Sequence, residues 1–291
     1  MFSIVIPTYN RAIKLEKCLT SLINQTYKNF EVIISDDGSD DNTEKVVEEA
    51  RRKGLSIKYI YNQNWGGPGR PRNIAIKNAQ FEWVCFLDSD DWWYADKLKL
   101  ILPYCNQNND LIYHDFELYR KGKLTNRKHK GRQLKKPVFN DLFINDNCIV
   151  NSGVCIRKSV LEKVGGFSED RDLIAIEDFD LWLKCARITE KFKYVPEILG
   201  GYEISDDSIT TNNTGLINRF DKLFALHKQY LNPSEIRLAE INWSYKKAVI
   251  YQSMSKTDCA RKYYLMATRS NFLPIKLKAG FRLFTMLIKR G

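Results

Sequence analysis

The sequence predicts an α/β fold built on a mostly parallel sheet, and three observations carry that expectation. Short apolar runs alternate with helix-like stretches four times in the first hundred residues. The runs are rich in Val, Ile, Phe and Tyr, as strands buried on both faces require. Polar clusters stand directly after them, where open α/β sheets bind ligands at the carboxyl ends of their strands.

The strands are expected over Phe2–Pro7, Phe30–Ser35, Ile57–Tyr61 and Trp83–Leu87, with helices over about 12–24, 41–53 and 70–80. Four βα units in a row put helices on both faces of the sheet. Beyond residue 110 the pattern turns more antiparallel, with strands over Leu111–Tyr119 and Cys148–Arg157 and a basic turn near Lys121 to Lys130. The stretch from Gly215 to Lys289 reads as helical. A main domain over 1–210, in halves of about 1–110 and 111–210, and a helical extension over 211–291 follow.

Composition narrows the class. A chain of 291 residues with 44% hydrophobic residues can bury a large core, which excludes disorder. No window holds the roughly 18 to 20 apolar residues that span a bilayer, and the chain opens straight into a strand, so an unprocessed cytoplasmic protein is expected. Seven cysteines, an odd number without a CxxC pair, read as reduced and mostly buried. His114, His129 and His227 match no motif and read as structural or surface residues. The net charge of +11 lies wholly in the last 84 residues, which carry 15 Lys and Arg against 4 Asp and Glu and leave 31 against 31 before them. A neutral, acid-clustered first part argues against a nucleic-acid partner.

Four clusters carry chemistry. In Phe86-Leu-Asp-Ser-Asp-Asp-Trp92 three carboxylates fall within four residues; a hard divalent cation would relieve their repulsion, and a helix-capping turn is the alternative. In Ile34-Ser-Asp-Asp-Gly-Ser-Asp-Asp-Asn-Thr43, capping explains Ser39 to Asp41 but not Asp36 and Asp37. Asn64-Trp-Gly-Gly-Pro-Gly-Arg-Pro-Arg-Asn73 combines glycines that admit a ligand with arginines suited to a diphosphate. Ile176-Glu-Asp-Phe-Asp-Leu-Trp-Leu-Lys184 starts an amphipathic helix with acids, which the helix dipole also favours.

In this order, with Val5-Ile-Pro-Thr-Tyr-Asn-Arg11, Gln25-Thr-Tyr-Lys-Asn-Phe-Glu31, Arg72-Asn73 and Gly165-Gly-Phe167, the clusters resemble the family 2 glycosyltransferases of the GT-A fold over roughly residues 2 to 205. The resemblance implies a Rossmann-like central sheet and inverting, single-sugar transfer from a nucleotide sugar, UDP-hexose or UDP-HexNAc, to a hydroxyl of a lipid-linked oligosaccharide. O-antigen, capsule or similar surface polysaccharide synthesis is the implied setting. It assigns donor contacts to Pro7, Thr8, Tyr9, Arg11, Asp37, Arg72, Asp88 and Ser89, and Mg2+ or Mn2+ binding to Asp90. It makes Asp178 the general base and puts Glu177, Trp182 and Asp91 on the acceptor side.

Two departures stand out. Ser205 occupies the place of a histidine that completes the metal site in many relatives, and the Gln-x-x-Arg-Trp signature of processive synthases is absent. A sugar nucleotidyltransferase would carry a glycine- and arginine-rich loop after the first strand, where this chain has Thr8-Tyr-Asn-Arg11; an inactive scaffold would have lost Asp90 or Asp178. In the tail, Leu277, Phe281, Phe284, Leu287 and Ile288 project to one side of a helix and Lys278, Arg282 and Lys289 to the other. That pattern suits an anionic membrane surface, on the inner face of the cytoplasmic membrane, or docking of the apolar side on the main domain.

Overall fold

The computed structural model describes residues 1–204 and 214–288, with side chains through residue 286. The soft boundary near 210, Ser205 and Lys289, and the side chains of Leu287 and Ile288, lie outside the described residues. Met1–Leu134 with Cys148–Asp206 form one compact unit, and Lys135–Asn147 with Asp207–Gly291 form a second.

In the first unit, β1 (Phe2–Thr8), β2 (Phe30–Asp36), β3 (Ile57–Tyr61) and β4 (Trp83–Phe86) are parallel in the order β3-β2-β1-β4. Helices α1 (Ala12–Ile23), α2 (Thr43–Arg52) and α3 (Gly69–Asn78) connect them. All seven residues of β1 are buried, the two-sided burial that its continuous apolar run predicts. The chain winds outward from β1 through β2 to β3 and then returns to β4 on the other side of β1. The ends of β1 and β4 therefore flank the topological switch point, where such sheets open a crevice.

Beyond β4 come β5 (Trp92–Trp93), α4 (Lys97–Ile101), β6 (Leu111–Arg120), β7 (Lys123–His129), β8 (Cys155–Arg157), α6 (Lys158–Val164), α7 (Glu177–Ala186) and β9 (Phe192–Glu203), and the strands among them continue the sheet. β8 is antiparallel to β4 and β6, whereas β6 and β9 run parallel. The expected strand over 148–157 is only partly strand, because Asn151–Gly153 form a 3-10 turn before β8. The basic turn is a hairpin: Lys121 and Gly122 both have positive φ and let β7 fold back on β6.

The second unit collects α5 (Val138–Asn145), α8 (Thr214–His227), α9 (Pro233–Ser253), α10 (Thr257–Ala267) and α11 (Leu273–Ile288). Asn232 and Glu235 form a reciprocal capping box at the start of α9, with Pro233 in its first turn. The Trp243 indole N–H donates to the Phe143 carbonyl at 2.6 Å and Asn242 donates to that of Ile144 at 2.8 Å, pinning α5 to α9. All seven cysteines are free thiols. No helix among the described residues is long and apolar enough to cross a membrane.

Candidate active site

The β1–β2 register places Thr8 opposite Asp36, so the first two polar clusters leave the sheet at one level. Asp36 and Asp37 then part company. Asp36 is buried, accepting from Ser39 at one oxygen and from the Tyr59 hydroxyl at 2.6 Å at the other. It holds the turn together. Asp37 accepts the backbone N–H groups of Trp65 and Gly66 at 2.9 and 3.0 Å and thereby shapes the glycine-rich loop.

A cleft of about 330 Å³ opens there, lined by Asp37, Asn62, Gln63, Asn64, Trp65, Arg70, Ile74 and Arg171. That is within the size range of small-molecule sites. Asp37, a donor contact in the expectation, is among these lining residues. Pro7, Thr8 and Tyr9 are not among the lining residues; Pro7 and Thr8 are buried, and Tyr9 is exposed. The guanidinium groups of Arg70 and Arg171 lie 4.7 and 4.9 Å from the Trp65 ring centre. Arg171, 106 residues from Trp65, was beyond the reach of any local pattern.

The second centre lies around Asp88. Arg72 donates to Asp88 and to Glu177, both at 2.6 Å, joining α3, the loop after β4 and the first turn of α7. Burial alone would weaken the Arg72 cation, but the two carboxylates more than restore it, and its pKa is raised. Asn151, which the sequence reading missed, donates to the same Asp88 oxygen at 3.1 Å. Its signal was present as an Asn-Ser-Gly breaker inside an apparent strand. Asn73 clips the neighbouring Gly-Gly-Phe turn, accepting from Phe167 N–H at 2.8 Å and donating to the Phe167 carbonyl at 2.9 Å. A Cβ on Gly166, at φ 72°, would sit 2.4 Å from the Asn73 side-chain oxygen, so only glycine fits.

Asp90 pairs with Arg11 at 2.7 Å, with Lys14 at 4.0 Å. Burial pushes the Asp90 carboxyl up, Arg11 pulls it back, and the negative charge of Asp88 adds to the rise. Asp91 behaves differently from the acceptor-side role expected of it. It is 2% exposed, accepts the Ser152 hydroxyl at 2.5 Å and the Glu203 N–H at 3.1 Å, and braces the loop from behind. Ser89 is equally buried. Trp182 is corrected more sharply: it is 0% exposed and its ring packs 6.1 Å from Phe86 and 6.5 Å from Phe167. Nearly every side of α7 is buried, so Trp182 is a core residue rather than an acceptor platform.

Asp178 is half-buried beside this centre, and its carboxyl is pushed up to about 7, first by burial and then by the negative charge of Glu177. Around it several buried polar atoms have no hydrogen-bond partner among the described residues: Arg72 Nε, Glu177 Oε2 and Asn151 Oδ1. Buried polar atoms are normally satisfied, so their concentration here marks a place built for a polar ligand. Oδ2 of Asp88 also accepts no hydrogen bond among the described residues. No group of three His, Cys, Asp or Glu gathers at metal-binding spacing among those residues. Asp88 and Asp90 nonetheless supply oxygen donors of the kind Mg2+ takes, one or two carboxylates completed by phosphate and water.

A cleft and a group of unpaired buried polar atoms at the carboxyl ends of a parallel sheet make a ligand site, and comparison with known sequences gives the class of the chain. The profile of Glycosyl transferase family 2 matches residues 3–165. The chain belongs to that family. It is 34% identical over 135 residues to the GalNAc(5)-diNAcBac-PP-undecaprenol beta-1,3-glucosyltransferase of Campylobacter jejuni, covering 46% of this chain and 43% of that one. An uncharacterised glycosyltransferase of Rickettsia conorii is 38% identical over 131 residues, but the chain spans only 21% of its length. Among solved structures, Staphylococcus aureus TarS 1-349 in complex with UDP-GlcNAc superposes with a TM-score of 0.60 at 19% identity, over 92% of this chain and 91% of that one. The Pyrobaculum calidifontis mannosyltransferase in complex with GDP-Man and Mn2+ gives 0.56 at 16% identity, over 97% and 86%. These likenesses establish a GT-A fold.

Proposed function

We propose that the chain transfers one sugar, with inversion, from a UDP-hexose or UDP-HexNAc to a hydroxyl of a lipid-linked glycan acceptor in cell-surface polysaccharide synthesis. The observation that carries this reading is the set of unpaired buried polar atoms around Arg72, Glu177 and Asn151, beside a half-buried carboxyl whose pKa is raised to about 7. The UDP-GlcNAc complex of TarS and the undecaprenol acceptor in the Campylobacter name support the donor and acceptor classes.

The base and ribose enter the cleft beside Asp37 and Trp65, and Arg72 and Arg11 meet the diphosphate. Asp90, with Asp88 beside it, would hold Mg2+ or Mn2+. The cation, when bound, would neutralise charge growing on the leaving diphosphate. The Mn2+ complex of the Pyrobaculum enzyme supports that choice. Asp178 accepts the acceptor hydroxyl proton as the new glycosidic bond forms. Glu177 cannot share this task, because Arg72 holds it at 2.6 Å. Titrating the protein with UDP-, GDP- and dTDP-sugars and scoring released nucleotide tests the reading. A UDP-sugar is expected to turn over; a protein that binds none of them contradicts it.

The tail extends the same reading. On α11, Ile275, Ala279 and Met286 pack inward on Ala260, Tyr264 and Ala267, whereas Phe281 and Phe284 are 66% and 60% exposed. Leu273 and Leu277 continue this outer stripe, and Lys276, Lys278 and Arg282 are also exposed. An outward apolar stripe flanked by cations fits the interface of an anionic bilayer, where each basic residue adds roughly 1 kcal/mol. Phe281→Ser with Phe284→Ser leaves the inward face intact. It is expected to abolish flotation with phosphatidylglycerol liposomes; undiminished flotation removes α11 from the account.

A further inference from the structure

The first 207 residues are neutral in sum, but their charge is not evenly spread. Between residues 120 and 132 stand Arg120, Lys121, Lys123, Arg127, Lys128, Lys130 and Arg132, with no Asp or Glu among them. This stretch is the β6–β7 hairpin and the segment that follows it. Arg120, Lys123, Arg127, Lys128 and Lys130 are exposed, and none forms an ion pair among the described residues. Like charges set so close repel one another, and without a partner they lower stability. Leu124 is the sole large apolar side chain between 120 and 132, so the ribbon has little with which to enter a bilayer.

The position of the ribbon gives this charge its meaning. Gly122 N–H, in the turn, donates to the Glu203 carboxylate at 3.1 Å, and Glu203 N–H donates to Asp91 at 3.1 Å. Tyr119, at the root, packs its ring 4.6 Å from that of Trp92. The hairpin is thus tied by two hydrogen bonds to the loop that carries Asp88 and Asp90. An anionic acceptor approaching this loop meets the Asp88 and Asp90 carboxylates, and the nearby Arg11 and Arg72 are paired with carboxylates and set against the donor's diphosphate. It needs cations of its own.

We propose that the β6–β7 hairpin is an acceptor-binding arm, and that the acceptor carries repeated phosphate groups which the arm's lysines and arginines hold while a hydroxyl reaches the site. The proposal rests on the transferase reading and names its acceptor class. Cations on both faces of a two-stranded ribbon favour an extended polyanion over a flat surface, and electrostatic steering speeds capture of a charged chain.

The test uses the full chain and linear inorganic polyphosphate as the probe. The quadruple variant Lys123→Gln, Arg127→Gln, Lys128→Gln, Lys130→Gln is expected to bind polyphosphate at least about tenfold more weakly, because it removes four of the cations that would neutralise phosphate. UDP-sugar affinity and the slow hydrolysis of donor without acceptor should stay as in the unaltered chain. Lys123→Arg with Lys128→Arg and Lys130→Arg, which keeps the charge, should bind as the unaltered chain does. Equal polyphosphate binding by the quadruple variant, or loss of binding in the charge-keeping one, overturns the proposal. So does tighter hairpin-dependent binding to phosphatidylglycerol vesicles or to single-stranded DNA, which would make the partner a bilayer or a nucleic acid. Failure of the transferase reading shows separately: the unaltered chain would then bind polyphosphate but no nucleotide sugar, and the arm would have no acceptor to serve.

Discussion

Asp178→Asn is expected to lower turnover by about 10² to 10⁴ while leaving UDP-sugar affinity within about twofold, the loss typical of removing a general base. Steric change is minimal, because the one hydrogen bond that the Asp178 carboxyl accepts among the described residues comes from the adjacent Phe179 N–H at 2.7 Å and an amide oxygen can take it over. Unfolding is not the expected cause of the loss, as the sign of the pKa shift shows. The folded-state pKa of about 7 lies above the ordinary 3.8, so the folded chain binds the extra proton between those values and stability falls as pH rises through them. Asn removes the ionised form and should leave the thermal midpoint at pH 8 unchanged or higher. Collapse of donor affinity with turnover intact would instead move Asp178 to the donor side.

Asp90→Ala should reduce transfer at least about 10²-fold, the scale for losing a group that stabilises leaving-group charge. The fold should survive, since the partner it leaves behind, Arg11, is only half-buried and can be hydrated. The same loss is expected when the unaltered protein is stripped with EDTA, with recovery on adding Mn2+ or Mg2+. Full activity in excess EDTA would contradict the assignment of Asp90 to a cation, while leaving Asp178 untouched.

The parallel half of the fold was legible because β1 and β4 are fully buried and read as near-continuous apolar runs, while the partly exposed β3 shows itself through its aromatic and β-branched residues. The site was legible where adjacent acids demanded an explanation. Which acid faced which way was not. Asp36 and Asp91 turn inward to brace loops, whereas their neighbours Asp37 and Asp90 face the cleft and Arg11. At the end of β2, neighbouring side chains point to opposite sides and only the register, Thr8 opposite Asp36, fixes the phase; Asp90 and Asp91 sit instead in a turn closed by the Asp91 N–H on the Asp88 carbonyl, which no alternation pattern reveals. Trp182 misled for a related reason. A helix with one wet face would turn one side to a substrate, but α7 is buried almost all round. Asn151 and Arg171 act across more than 60 residues of sequence, and the packing of α5 with the C-terminal helices depends on Asn242 and Trp243, about 100 positions away. Partners at such distances leave no periodic trace.

The claim on which the account turns is that Asp178 takes the proton from the acceptor. The pH dependence of kcat/KM for the acceptor tests it most directly, because this parameter reports groups in the free enzyme. Activity should rise with pH, bend near pH 7 where Asp178 loses its proton, and level off above. In Asp178→Asn that bend should vanish and a low rate remain. An unaltered bend in the variant, or activity in the unaltered chain that falls as pH rises through 7, would contradict the account.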